Sequence, residues 1–235
     1  MLTPIARCSA DHSFKKFEVD EELTVGGLLT TISTTLKVVM IETYALYDVS
    51  TIEDPLVLEE KSSIQTVLHS WQVKVKLGKG RFAKKGIAKH NMVFSKRLYV
   101  DKPGDVPQDV VELHLLYTQA KGCVLRGKYA VSDTEALLLA ALSLQIAYGD
   151  HNPEKHTAGF LRNELIKYIP RHLYSLQKPE VWERDFVATH IKMKSFTEMM
   201  SKQVCPPRYS YQDYHMLSQS SECRPFFRTR ITTCF

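Results

Sequence analysis

Ser132-Asp133-Thr134-Glu135-Ala136-Leu137-Leu138-Leu139-Ala140-Ala141-Leu142-Ser143-Leu144-Gln145-Ile146-Ala147-Tyr148-Gly149 is the stretch on which the fold turns. Ser132 followed three residues later by Glu135 is a capping box, in which each side chain satisfies a backbone amide of the other's turn. From Ala136 to Tyr148 the residues are apolar almost all round, which predicts the central helix of a bundle rather than a surface helix. Gly149 is a natural stop. The uninterrupted apolar run from Ala136 to Leu142 is about a third of the ~20 residues a membrane-spanning helix needs. Met1-Leu2-Thr3-Pro4 opens no basic-then-apolar signal segment.

The flanks of this helix keep helical periodicity. Upstream, Leu113, Leu116, Tyr117, Ala120 and Val124 mark one face of a helix ending at Gly127. Downstream, a third helix is predicted near Leu161 to Ile169, ending at Pro170. A fourth starts after Pro179 and carries Trp182, Phe186 and Met193. Ser195 with Glu198 reads as a second capping box, opening a fifth. Cys205-Pro206-Pro207 forbids continuing that helix, and from 204 to 235 the pattern dissolves into an irregular or truncated tail. The helical lobe is therefore expected over 107–203.

Before Asp101-Lys102-Pro103-Gly104-Asp105-Val106-Pro107, a linker by composition, the character changes. Phe14 to Val19 alternates as a strand. Thr24 caps a helix whose apolar positions are Val25, Leu28, Leu29, Ile32 and Leu36. Tyr44 to Tyr47 and Leu56 to Leu58 are short strand candidates. Trp71, Val73, Val75 and Leu77 alternate with Gln72, Lys74 and Lys76, which predicts a half-buried strand with its lysines in water. Gly78 to Asn91 is a basic loop, and Met92 to Val100 a last strand. Residues 1–102 thus read as a small mixed lobe, and the whole chain as α+β.

With 44% hydrophobic and 24% charged residues the chain is globular rather than disordered. The net charge of +5 is mild, but its distribution is not. From Lys61 to Val100 there is no Asp or Glu and there are ten Lys or Arg. Ten positive charges against a whole-chain net of +5 leave the remainder net acidic by five. Such a field bears on partners rather than on fold. The five cysteines, Cys8, Cys123, Cys205, Cys223 and Cys234, are odd in number and form no CxxC pair. A zinc site or disulfide framework is not indicated, and a reducing cytosol fits.

Catalytic patterns find no support. Gly78-Lys79-Gly80-Arg81-Phe82-Ala83 resembles the glycine-rich loop of protein kinases, but Val-Ala-Ile-Lys, His-Arg-Asp and Asp-Phe-Gly are all missing. No Gly-Lys-Ser/Thr follows to make a phosphate-binding loop. His151 and His156 are five apart with Asn152-Pro153 between, which predicts a turn rather than a zincin helix. Asp150 and Glu154 are too loosely placed for an acid/base pair. No enzyme activity, metal or cofactor is expected.

Leu115-Leu116-Tyr117-Thr118-Gln119-Ala120, Val124-Leu125-Arg126-Gly127-Lys128-Tyr129, Ala140 to Gly149 and His151-Asn152-Pro153-Glu154-Lys155-His156-Thr157-Ala158-Gly159-Phe160-Leu161 resemble the second lobe of FERM domains, and most of all the talin-like head. Over Phe14 to Val100 the likeness rests mostly on element order. The resemblance implies a ubiquitin-like β-grasp lobe followed by an all-α bundle like acyl-CoA-binding protein. The family's third, sandwich lobe, which carries its receptor-tail pocket, is expected to be missing or truncated, so that pocket is not carried over. The resemblance also implies a non-enzymatic adaptor at the cytoplasmic face of the plasma membrane, joining acidic phospholipids and receptor or cytoskeletal proteins to actin. The expected lipid contacts are Lys79, Arg81, Lys84, Lys85 and Lys89 in the basic loop and Lys155 on the helical lobe. Thr157 stands where the family carries another lysine.

Each basic side chain near an anionic leaflet contributes about 1 kcal/mol. Five would give about 5 kcal/mol, a dissociation constant of roughly 0.1–1 mM, so a second contact is needed. Three other readings stand beside this one. A cargo- or peptide-binding FERM piece of an unconventional myosin tail would bind without lipid. A small-GTPase effector would use the edge of the first lobe. Nucleic-acid binding is not expected, since Phe82 is the lone aromatic between Lys79 and Lys89 and gives no stacking platform.

Overall fold

The computed structural model describes residues 6–7, 17, 20, 22–48, 56–76, 92–97, 107–127 and 131–204. The chain divides between Val100 and Asp101 into two compact units.

In the first unit, α1 (Val25–Leu36) begins where Thr24 Oγ1 accepts the Gly27 amide at 3.1 Å. Its threonines are poor helix formers because their hydroxyls compete for backbone. Here Thr30, Thr31 and Thr35 donate to the carbonyls of Gly26, Gly27 and Thr31, one turn back. Burial supplies what propensity lacks. Val25, Leu28, Leu29 and Ile32 are all buried, each contributing about 1.5–3 kcal/mol relative to exposure. Lys37, at φ 61°, closes the helix in the left-handed region with its amide on Ser33 and Thr34.

Four short strands form one sheet, ordered β1 (Ala6–Arg7), β4 (Met92–Lys96), β2 (Tyr44–Asp48), β3 (Leu56–Val57). β1 runs parallel to β4, and the other pairs are antiparallel. β2 is buried along its whole length. Tyr44 and Phe94 stack across β2 and β4 with centroids 4.7 Å apart, a diagonal pair of the kind that fixes register. β3 leaves Leu56 and Val57 exposed. The predicted strand Phe14 to Val19 lies outside the described residues except for Phe17, which is buried.

The predicted strand at Trp71 is instead part of a helix, α2 (Ile64–Lys76). Ser63 Oγ accepts the Thr66 amide, and Ile64, Val67 and Trp71 are buried, at helical spacing. Val73, which the strand reading buried, is 38% exposed. The α1 and α2 starts are tied together. Val25 and Gly26 donate to Ser62 and Glu60, and Ile64 donates to Leu23. A Cβ on Gly26 would lie 3.3 Å from the Glu60 carbonyl, so this close approach favours glycine.

The second unit is helical: α3 (Val110–Leu125), α4 (Asp133–Tyr148), α5 (Pro179–Ile191) and α6 (Glu198–Val204). The predicted face of α3 is buried at Leu113, Leu116, Tyr117, Ala120 and Val124. The Ser132–Glu135 capping box forms in both directions, and Gly149 ends α4 at φ 70°. Ala136, Ala140 and Leu144 of α4 share a core with Trp182 and Phe186 of α5, both fully buried. α5 packs on α4, and α6 on α3 and α4.

Three expectations are corrected here. Leu161 to Ile169 holds turns and a 3-10 segment, Leu165–Lys167, rather than an α-helix. Glu183 of α5 takes the Gly159 and Leu161 amides at 2.8 and 3.1 Å, so a side chain holds the segment's start. Met193 lies beyond the end of α5. Ser195 does not cap α6. Thr197 Oγ1 accepts the Met200 amide, while Ser195 sits at φ 71°. Among the described residues no helix is long and apolar enough to cross a membrane.

Candidate functional site

The six predicted contact residues divide sharply. Lys79, Arg81, Lys84, Lys85 and Lys89 fall outside the described residues, between the end of α2 at Lys76 and the start of β4 at Met92. Lys155 is exposed on the turn after α4. That turn is well braced. Asn152 O accepts the Lys155 and His156 amides at 3.2 and 2.8 Å, and Asn152 Oδ1 accepts the Glu154 amide at 2.8 Å. The turn expected from Asn152-Pro153 is therefore present. Lys155 is a cation carried on ordered backbone.

The basic stretch is less uniform in space than in sequence. Lys61 is exposed, but Lys96 on β4 is buried. Arg97 pairs with Glu60 at 3.8 Å, and its amide donates to Thr43. Two of the ten cations are thus spent inside the first unit, and an acid from outside the stretch folds back onto it.

Beside Lys155 lies a polar corner that sequence reading passed over. Gln145, buried near the end of α4, is its hub. Its amide nitrogen donates to Asp150 Oδ1 at 2.7 Å and to the Phe196 carbonyl at 2.8 Å. Both partners are acceptors, so the amide orientation is fixed and Oε1 must face His190 Nε2, 3.0 Å away. His190 Nε2 also lies 2.9 Å from the Gly149 carbonyl. Facing two acceptors, Nε2 carries the proton. Asp150 Oδ1 takes the Ser195 amide at 2.9 Å, which holds Ser195 in its left-handed conformation. One glutamine therefore joins the end of α4, the end of α5 and the turn leading into α6.

Three imidazoles meet there. His151 lies 5.3 Å from His156 and 6.0 Å from His190, and His156 lies 6.0 Å from His190, between ring centroids. His156 stacks on Phe160 at 4.9 Å. Burial pushes the His190 and His156 imidazoles below their ordinary value; His156 and His151 add to it at His190, and His151 and Lys155 at His156. The hydrogen bonds from Gln145 and Ser195 hold the Asp150 carboxyl below the usual range. Among the described residues no group of three or more His, Cys, Asp or Glu is placed to hold a metal ion. The signal for this corner in the sequence was a glutamine in an otherwise apolar helix, and its long-range partners at 190 and 196 leave no local trace.

An open groove of about 610 Å³ lies along α5, with Val187, Ala188 and Ile191 among its lining. Its charged rim is internally matched. Arg162 faces Glu180 at 3.6 Å, Arg184 faces Asp185 at 2.9 Å, and Glu183 is taken up by backbone amides.

Residues 102–206 match the family described as the FERM central domain. The chain is similar to Talin-A of Dictyostelium discoideum, 32% identical over 154 residues, covering 63% of this chain and 11% of that protein. It is similar to Talin-1 of Gallus gallus, 29% identical over 209 residues, covering 82% of this chain and 8% of the relative. Among solved structures, the Dictyostelium discoideum Myosin VII MyTH4-FERM MF2 domain superposes with a TM-score of 0.68 at 17% identity, over 86% of this chain and 40% of that one. The chain spans about a tenth of the length of the talins it matches.

Proposed function

Because this chain belongs to the FERM family, with a FERM central domain at 102–206 and talin-like sequence around it, we propose that it is a non-enzymatic adaptor that docks on acidic membrane and links it to cytoskeletal or receptor proteins. The observation that carries this is the stretch from Lys61 to Val100, ten cations with no acidic residue. Lys79, Arg81, Lys84, Lys85 and Lys89 make the electrostatic contact with phosphoinositide- or phosphatidylserine-rich membrane. Lys155, on its braced turn, supplies the second contact that five lysines and arginines need at about 1 kcal/mol each. The lobes fit this reading. The order β1-β4-β2-β3, with α1 crossing between β1 and β2, supports a ubiquitin-like β-grasp over 1–102. The buried α4 inside its bundle supports an acyl-CoA-binding-protein-like lobe over 107–203. The site of action is the cytoplasmic face of the plasma membrane and its cytoskeleton.

Co-sedimentation of the whole chain with vesicles tests this. Acidic vesicles should pull the protein down and neutral phosphatidylcholine vesicles should not. Equal binding to both would contradict it. The myosin VII likeness supports a second reading, a peptide-binding FERM module of a motor tail. Capture of the chain by peptide or protein partners with no dependence on lipid would favour that one.

A further inference from the structure

The corner built on Gln145 goes beyond membrane docking and stands independently of it. Both tautomers that matter are fixed by hydrogen-bond logic. His190 must carry its proton on Nε2, which leaves Nδ1 as a bare lone pair. That nitrogen is buried and has no hydrogen-bond partner among the described residues, and the ring as a whole is 1% exposed. His156 Nδ1 accepts the Asn152 amide at 3.1 Å. A backbone N–H can only donate, so this ring too must be neutral, with its proton on Nε2. His151 Nε2, likewise buried, has no partner among the described residues. A second proton on His190 would place a cation where nothing accepts its N–H. A second proton on His156 would set two donors against each other and break the turn that holds Asn152.

We propose that this histidine corner is a proton-sensitive latch that holds the 193–197 turn and α6 on the helical unit when neutral and releases them when the imidazoles are protonated. The groups facing His190 are accounted for. α4 presents the neutral Gln145. The turn after α4 presents Asp150, His151 and His156. Lys155 stands near His156, and Lys194 near Asp150. The hydrogen bond to the Gly149 carbonyl and the nearby Asp150 carboxylate both favour a charged His190, and burial of the ring outweighs them. His156 and His151 favour the neutral state of His190, and His151 and Lys155 favour that of His156. What remains to hold the turn is modest. Met193, Phe196 and Val204 are only partly buried against Tyr117 and Leu142, and in α6 itself the buried residues are the polar Ser201 and Lys202, so loss of the latch should loosen the turn first. The sign follows from the lowered histidines. Grip is full above about pH 6.5, the unfolded-state value, and is lost as pH falls below it.

Hydrogen exchange on the whole chain tests the latch. Between about pH 7.5 and 5.5, protection factors for residues 193–204 should fall on the order of tenfold or more, while those of α3 hold. His190→Gln keeps a donor near the Nε2 position but cannot titrate, so it should flatten that pH dependence. Unchanged protection in the unaltered protein, or the same fall in H190Q, would overturn the proposal. Should H190Q fail to fold, nitrogen-detected histidine titration of the unaltered chain decides. Nε2–H tautomers at His190 and His156 with midpoints below about pH 6.5 are expected. An Nδ1–H tautomer or a higher midpoint at His190 would overturn it.

Discussion

The two halves of α4 are held by different physics. Its first half, opened by the Ser132–Glu135 box, buries Ala136 and Ala140 in a dry core with Trp182 and Phe186. Its last turn places Gln145 at the centre of a hydrogen-bonded junction with Asp150, Gly149, His190 and Phe196. Dry packing has no charge to change and is indifferent to pH. A satisfied polar junction is directional, couples distant segments and fails as a unit when one partner changes its protonation. One helix thus serves as a fixed anchor at one end and a conditional joint at the other.

Breaking the dry end should have the largest effect. Trp182→Ala should cost the helical unit about 3–5 kcal/mol, read by urea unfolding, and by the same amount near pH 7.5 and 5.5. A cost that grew markedly in acid would blur the contrast between the two halves. Gln145→Leu should cost less, about 2–3 kcal/mol, from acceptors and donors left unpaired. Its exchange signature should concentrate at 193–204 instead of spreading through the core. For the unaltered protein, stability should be flat above about pH 6.5 and fall below it by at most about 1.4 kcal/mol per pH unit for each histidine. Stability that rose on acidification would contradict the neutral assignment of His190 and His156. The smallest effects concern the caps. Ser132→Ala and Thr197→Ala should each cost about 1 kcal/mol. Ser195→Gly should be neutral or mildly stabilising, because Ser195 occupies a left-handed conformation and caps nothing.

Much of the helical unit could be read from sequence because its signals are local. The capping box, the face of α3 and the stop at Gly149 each depend on residues a few positions apart. The errors arose where distant groups decide. Trp71, Val73 and Val75 alternate like a strand, and the helical spacing of Ile64, Val67 and Trp71 begins upstream of that window. Leu161 to Ile169 has helical composition, but Glu183, more than twenty positions away, captures its first amides. Ser195 and Glu198 satisfy the capping pattern, yet Asp150 pulls the Ser195 amide out of it. The acid-free charge of 61–100 was plain in sequence, whereas the return of Glu60 onto Arg97 was not.

The most direct test of the membrane reading is the salt dependence of binding to phosphoinositide-containing vesicles. It compares the unaltered chain with one in which Lys79, Arg81, Lys84, Lys85 and Lys89 are all replaced by Gln. Binding of the unaltered chain should weaken steeply from low to moderate salt, and the replaced chain should bind weakly throughout. Salt-insensitive binding, or equal binding by the two chains, would contradict it.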